Sequence, residues 1–127
     1  MNIIHAEINN FNKTELCCKC GCGLFNYNDN FLIRLQAFRL LIKSPLIVTS
    51  GGRCINHNKN VGGVSTSLHI CEGKKASAVD VTSASSRDIY SQAAKSRLFN
   101  EVIWYQGENF VHLGYDDHQI NGFSNIK

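Results

Sequence analysis

Apolar residues recur at helical spacing between Phe31 and Ile42. Phe31, Leu32, Leu35, Phe38, Leu41 and Ile42 make one stripe of candidate core positions, with Arg34 and Arg39 off it. Asn28, Asp29 and Asn30 precede the stripe as candidate caps, and Ser44-Pro45 ends it. The period then changes. Leu46-Ile47-Val48-Thr49 predicts a β-strand, and a polar, glycine-rich loop follows from Ser50 to Ser67. Val79-Asp80-Val81-Thr82 predicts a short buried strand whose β-branched residues point away from the carboxylate. Ser85-Ser86-Arg87-Asp88 has the look of a capping box and opens a second helix through about Leu98. Glu101-Val102-Ile103-Trp104-Tyr105 and Asn109-Phe110-Val111-His112-Leu113 predict a hairpin around Gln106-Gly107-Glu108. Residues 1–30 read as irregular, with at most a short helix or strand near the start.

Two principal helices and several short strands, without βαβ alternation, predict an α+β domain: a small antiparallel sheet packed with two helices. No repeat, low-complexity tract or linker interrupts the chain, so residues 1–127 are expected to form one domain with a Cys-rich segment over about 1–30.

Composition narrows the picture only a little. An apolar content of 43% with 18% charged residues is ordinary for a globular protein. The net charge of +3 is mildly favourable toward an anionic polymer and too small to argue for nucleic acid. No apolar run reaches membrane-spanning length, so no membrane partner is expected. Met1-Asn2-Ile3-Ile4-His5-Ala6-Glu7 has neither the basic start nor the apolar stretch of a secretory signal. The expectation is a chain made in the cytoplasm that reaches an external target only after release or non-classical export.

Cysteine usage adds an open question. Cys17, Cys18, Cys20 and Cys22 cluster, and Cys54 and Cys71 follow. In a cytosolic chain, such a cluster suggests metal or redox chemistry rather than disulfides. No second Cys-x-x-Cys or His pair completes a zinc ribbon. Reduced, partly buried thiols are therefore preferred over a structural metal, and a Cys54 bridge to the cluster under oxidising conditions is a third reading.

The chemistry concentrates in His69, Asp80 and His112. Two imidazoles and a carboxylate suit Zn²⁺ and leave one tetrahedral position open. Water there becomes a usable nucleophile near neutral pH, which is hydrolase chemistry. A lone His–Asp pair is more often a surface pair or a satisfied core histidine. Here Asp80 lies mid-strand among valines and His112 lies in Phe110-Val111-His112-Leu113, where a carboxylate needs a partner.

The order of motifs is specific. Ser50-Gly51-Gly52-Arg53-Cys54-Ile55-Asn56-His57-Asn58, then Val61-Gly62-Gly63-Val64-Ser65, then Ser67-Leu68-His69 and finally Val111-His112 resembles the signature of zinc D-alanyl-D-alanine carboxypeptidases and related L-alanyl-D-glutamate endopeptidases, including small phage endolysins. Lys19-Cys20-Gly21-Cys22-Gly23 is similar to a segment of its small phage and bacterial members, and the resemblance spans about residues 14–115. It implies a hedgehog/DD-peptidase fold and one catalytic zinc held by His69, Asp80 and His112. It also implies peptidoglycan stem peptides as substrate, with Arg53 binding substrate and offsetting the oxyanion. Ser67 is expected to orient His69 or touch substrate, and His57 to be structural rather than a ligand. A phage or prophage lysis enzyme, monomeric, is the implied reading.

Two departures from the family's pattern matter. More residues separate His69 from Asp80, the excess lying around Cys71-Glu72-Gly73-Lys74-Lys75, which must bulge outward if both ligands keep register. The general base is also displaced. Among Gln106 to Phe110 only Glu108 exchanges a proton at neutral pH, and Asp116, Asp117 and His118 are alternatives beyond the strand. The rival expectation is a non-catalytic, zinc-stabilised cell-wall-binding or virion structural module on the same scaffold.

Overall fold

The computed structural model describes residues 10–117 and 122–127. Helix α1 covers Lys13–Leu16, capped reciprocally by Asn12 and Glu15. Helix α2 runs Asp29–Ile42. Among its three candidate caps, Asn28 does the work, accepting from Phe31 N, and Lys43 closes the helix in the left-handed region. Phe31, Leu32, Leu35 and Phe38 are fully buried, whereas Leu41, expected on the same stripe, is 52% exposed. At 3.6 residues per turn Leu41 falls roughly 120° from Leu35, outside the face that meets the core.

Strand β1 (Ile47–Ser50) follows, then helix α3 (Ile55–Asn60), which occupies part of the stretch expected to be loop. Its sequence, Ile55-Asn56-His57-Asn58-Lys59-Asn60, has no apolar periodicity to reveal it. Cys54 caps it through its sulfur, which accepts from His57 N. Strand β2 (Ala78–Thr82) leads to helix α4 (Ser86–Ser96), capped by Ser85, which ends before the expected Leu98 at left-handed Arg97. Strands β3 (Glu101–Tyr105) and β4 (Phe110–Gly114) form the expected hairpin around a 3₁₀ turn over Gln106–Glu108.

The sheet order is β1-β2-β4-β3-β5. The first four strands pair antiparallel, as expected. Strand β5 (Phe123–Ile126) adds to β3 in parallel, so the complete sheet is mixed. That strand lies beyond the last motif read from the sequence.

Pairing sets the two faces. Val79 pairs with Leu113, which pairs with Val102, and Val81 pairs with Val111. These residues are buried in one cluster with the α2 stripe, Ile89 and Ala93 of α4, and Phe99. Side chains alternate across a strand, so the next row, Asp80–His112–Ile103, looks out from the opposite face. The hydrophobic layer thus holds the site rigidly from behind.

Candidate metal centre and its cleft

Asp80 and His112 sit directly opposite each other on β2 and β4, the two inner strands of the antiparallel region. His69 arrives from a loop clasped to the Arg53 segment: Arg53 N donates to His69 O at 2.7 Å and Cys71 N donates to Arg53 O at 2.9 Å. The register of β1 shifts between Val48 and Ser50, which brings Ser50 opposite Asp80 and leads Gly51 and Gly52 across the end of the sheet. Gly51 lies so close to Leu16 O that a Cβ there would collide with backbone. The extra residues behave as register demands. Glu72 to Lys75 are exposed and turn at Gly73, while Glu72 Oε1 accepts from Ile55 N at the start of α3.

Three donor atoms converge. His69 Nε2 and His112 Nδ1 each lie 3.1 Å from Asp80 Oδ1, and 3.3 Å from one another. Tetrahedral zinc with ligands at ~2.0–2.1 Å separates neighbouring ligand atoms by roughly 3.3–3.4 Å. The triangle therefore has the size of such an ion's ligand face. The ring nitrogens pointing away are both engaged. His69 Nδ1 donates to Gly51 O at 2.8 Å, and His112 Nε2 meets Glu101 Oε1 at 2.9 Å. Such outer partners fix the tautomer and ring plane of a histidine ligand.

Electrostatics agree. Burial alone raises the Asp80 carboxyl, but bonds from His112 and His69 outweigh it and hold the group well below the usual carboxylate range. Burial lowers His112, yet its bonds to Asp80 and Glu101 win, and the imidazole is pushed up to about 9. Two imidazoles and a carboxylate packed together and largely out of solvent are a natural seat for a divalent cation.

Arg53 stands beside this triangle. Its Nη2 reaches Asp80 Oδ2 at 3.5 Å, its Nη1 donates to Asn58 Oδ1 at 3.1 Å and its Nε donates to Ser50 Oγ at 3.2 Å. Gly63 leaves the space that Asn58 and Arg53 fill, since a Cβ there would strike the Asn58 amide. Ser67 Oγ accepts from His69 N at 3.1 Å. The triangle, Arg53 and Ser67 open into a cleft of about 520 Å³, whose walls include Tyr105, Phe110, Val64 and Leu68. The Tyr105 and Phe110 rings stack 4.7 Å apart on one wall.

Glu108 also lines the cleft, exposed on the 3₁₀ turn at its rim. The glutamate that touches His112, on its outer nitrogen, is a different one, Glu101. Sequence reading missed Glu101. The observed register pairs Tyr105 with Phe110 and sets Glu101 opposite Gly114, on the same face as His112; a turn over 106–108 alone, as expected, would have set it opposite Leu113. Gly114 is required there, because a Cβ would stand 2.9 Å from Glu101 Oε1 and 3.3 Å from His112 Nε2. Asp116 and Asp117 lie past β4 and outside the cleft lining, and His118 lies outside the described residues. His57 is on α3, away from the triangle, and its backbone serves Cys54.

An α+β scaffold with a metal-sized donor triangle and an arginine in an open cleft defines a hydrolase-type centre. A family profile described as peptidase M15 matches residues 6–114, and the chain belongs to that family of metallopeptidases. A search of curated proteins returns no match. Among the described residues, no helix is long and apolar enough to cross a membrane.

Proposed function

We propose that the protein is a zinc-dependent peptidase that cleaves peptidoglycan stem peptides, as a D,D-carboxypeptidase or an L-alanyl-D-glutamate endopeptidase. The observation that carries this reading is the triangle of His69, Asp80 and His112, with both outer imidazole nitrogens held and the inner atoms facing an open cleft. Zinc bound there would supply Lewis acidity toward a carbonyl oxygen and lower the pKa of water.

The chain's own residues divide the remaining work. Arg53, fixed by Ser50 and Asn58, presents its guanidinium where the scissile oxygen gathers charge or where a substrate carboxylate docks. Glu108, free on the rim, takes the proton from the attacking water and passes it to the leaving amine. Glu101 keeps the His112 ring in place. Ser67 holds the His69 backbone, and the stacked Tyr105 and Phe110 offer a wall for the peptide's apolar parts.

The test uses metal-analysed protein incubated with defined muropeptides and read by mass spectrometry. Loss of a terminal D-alanine, or scission between L-alanine and D-glutamate, is the expected result. Protein with full zinc that cleaves no muropeptide, yet sediments with isolated cell walls, would instead be a binding module.

A further inference from the structure

Away from the cleft, the fold collects a second set of metal-binding side chains. Cys18, Cys20 and Cys22 alternate along one turn, and Cys54 joins them from the segment between β1 and α3. All four Sγ atoms lie within 4.8 Å of one another. Cys18 Sγ is 3.5 Å from Cys20 Sγ, which is 3.7 Å from Cys54 Sγ. With Zn–S bonds of ~2.3 Å, a tetrahedral site separates its sulfurs by roughly 3.8 Å. A disulfide would need about 2.05 Å, and all six cysteines are free.

Backbone amides favour the thiolate at two of the four sulfurs. Cys54 N donates to Cys18 Sγ at 3.4 Å, and His57 N donates to Cys54 Sγ at 3.3 Å. Amide-to-sulfur bonds stabilise the charged form that a metal requires. Cys22 sits between Gly21 and Gly23, both at positive φ, so the turn curls its thiols inward in a conformation other residues rarely adopt. Cys18 and Cys54 are buried while Cys20 and Cys22 are exposed, so an ion has an entry side and a dry side. Cys17 and Cys71 are not in the set.

We propose that Cys18, Cys20, Cys22 and Cys54 form a second, structural zinc site of four thiolates, separate from the cleft. The preference for reduced thiols drawn from the sequence rested on a missing partner motif, and Cys54 supplies the fourth ligand through the fold. The site has a job. Cys54 directly follows Arg53, and α3, which begins at Ile55, carries Asn58 that grips Arg53 Nη1. Gly52 N donates to Leu16 O just before the cysteine turn. An ion here would rivet residues 16–22 to the base of the loop that presents Arg53. A closed set of four protein ligands leaves no position for substrate, so the role is to hold shape rather than to react.

The experiment needs no substrate. Protein purified under reducing, anaerobic conditions is assayed for zinc and for reactive thiols. The wild-type chain is expected to carry two zinc ions, with His69→Ala and Cys22→Ser each losing one, a different one. Cobalt-substituted His69→Ala should show intense thiolate-to-cobalt charge transfer, which Cys22→Ser, keeping only the cleft ion, should lack. Should Cys22→Ser fail to fold, the cobalt spectrum of His69→Ala decides alone. A His69→Ala chain without zinc, zinc content unchanged by Cys22→Ser, or a cobalt spectrum of His69→Ala without thiolate bands overturns the proposal. So does an intact mass short of hydrogens by a bridge between these cysteines. Failure of the cleft site would show separately, as zinc content unchanged by His69→Ala.

Discussion

Two glutamates lining the cleft suit different jobs because their surroundings differ. Glu101 is half-buried against His112 Nε2, whereas Glu108 is exposed at the rim. Replacing Glu101 with Gln keeps the shape but weakens the acceptor, so zinc affinity or activity should fall about 10–100-fold. Zinc titration and turnover at saturating metal would separate the two losses. Glu108→Gln is expected to bind zinc normally and lose ~10²–10⁴ in turnover, and a near-normal rate would remove it from the mechanism. Arg53→Ala should retain metal and melting temperature while turnover drops by on the order of 10²–10³. A joint collapse of zinc, stability and activity would make Arg53 a structural residue. The candidate ligands were legible because each stood in a distinctive motif. Glu101 was not, for its relation to His112 exists only through strand pairing, eleven positions apart in sequence.

Elements were legible where burial imposed a period. The α2 stripe and the Val79–Val81 and Val111–Leu113 alternation were visible because one face of each meets the core. Helix α3 was not, since it is short, polar and organised by caps and by Asn58, whose side chain holds Arg53 and donates to Val64 O. Strand β5 pairs at the sheet edge, and its sequence Phe123-Ser124-Asn125-Ile126 has no apolar alternation to reveal it. Strand pairing also makes a prediction at Gly114. Adding a methyl there would press on both Glu101 and His112, neither of which can move without spoiling their bond. Gly114→Ala should therefore keep the strand, since its backbone is ordinary, yet lower zinc affinity like Glu101→Gln. Unchanged zinc binding by titration would refute the tight fit.

At the scale of the molecule, the cleft site ties together the Arg53–His69 clasp and the inner strands β2 and β4. Without metal, Asp80 stays ionised and His112 stays protonated at neutral pH. That pair's stabilisation is full between the ordinary carboxylate value of 3.8 and the ordinary histidine value of 6.5, and is lost as pH rises through about 9. Melting of chelated protein across alkaline pH should follow this loss, and a flat profile would contradict it. Metal returned at 100 times its dissociation constant should add about 2.7 kcal/mol by mass action.

The dispersal of the three ligands over a loop and two strands has a consequence for the protein's lifetime. A partly opened chain offers no such triangle, so zinc draws the population away from opened forms that proteases cut. Metal supply would then govern how long each molecule survives as well as whether it works. A molecule deprived of zinc would be cleared sooner than its loaded twin, and the pool that persists would be enriched in chains ready to act.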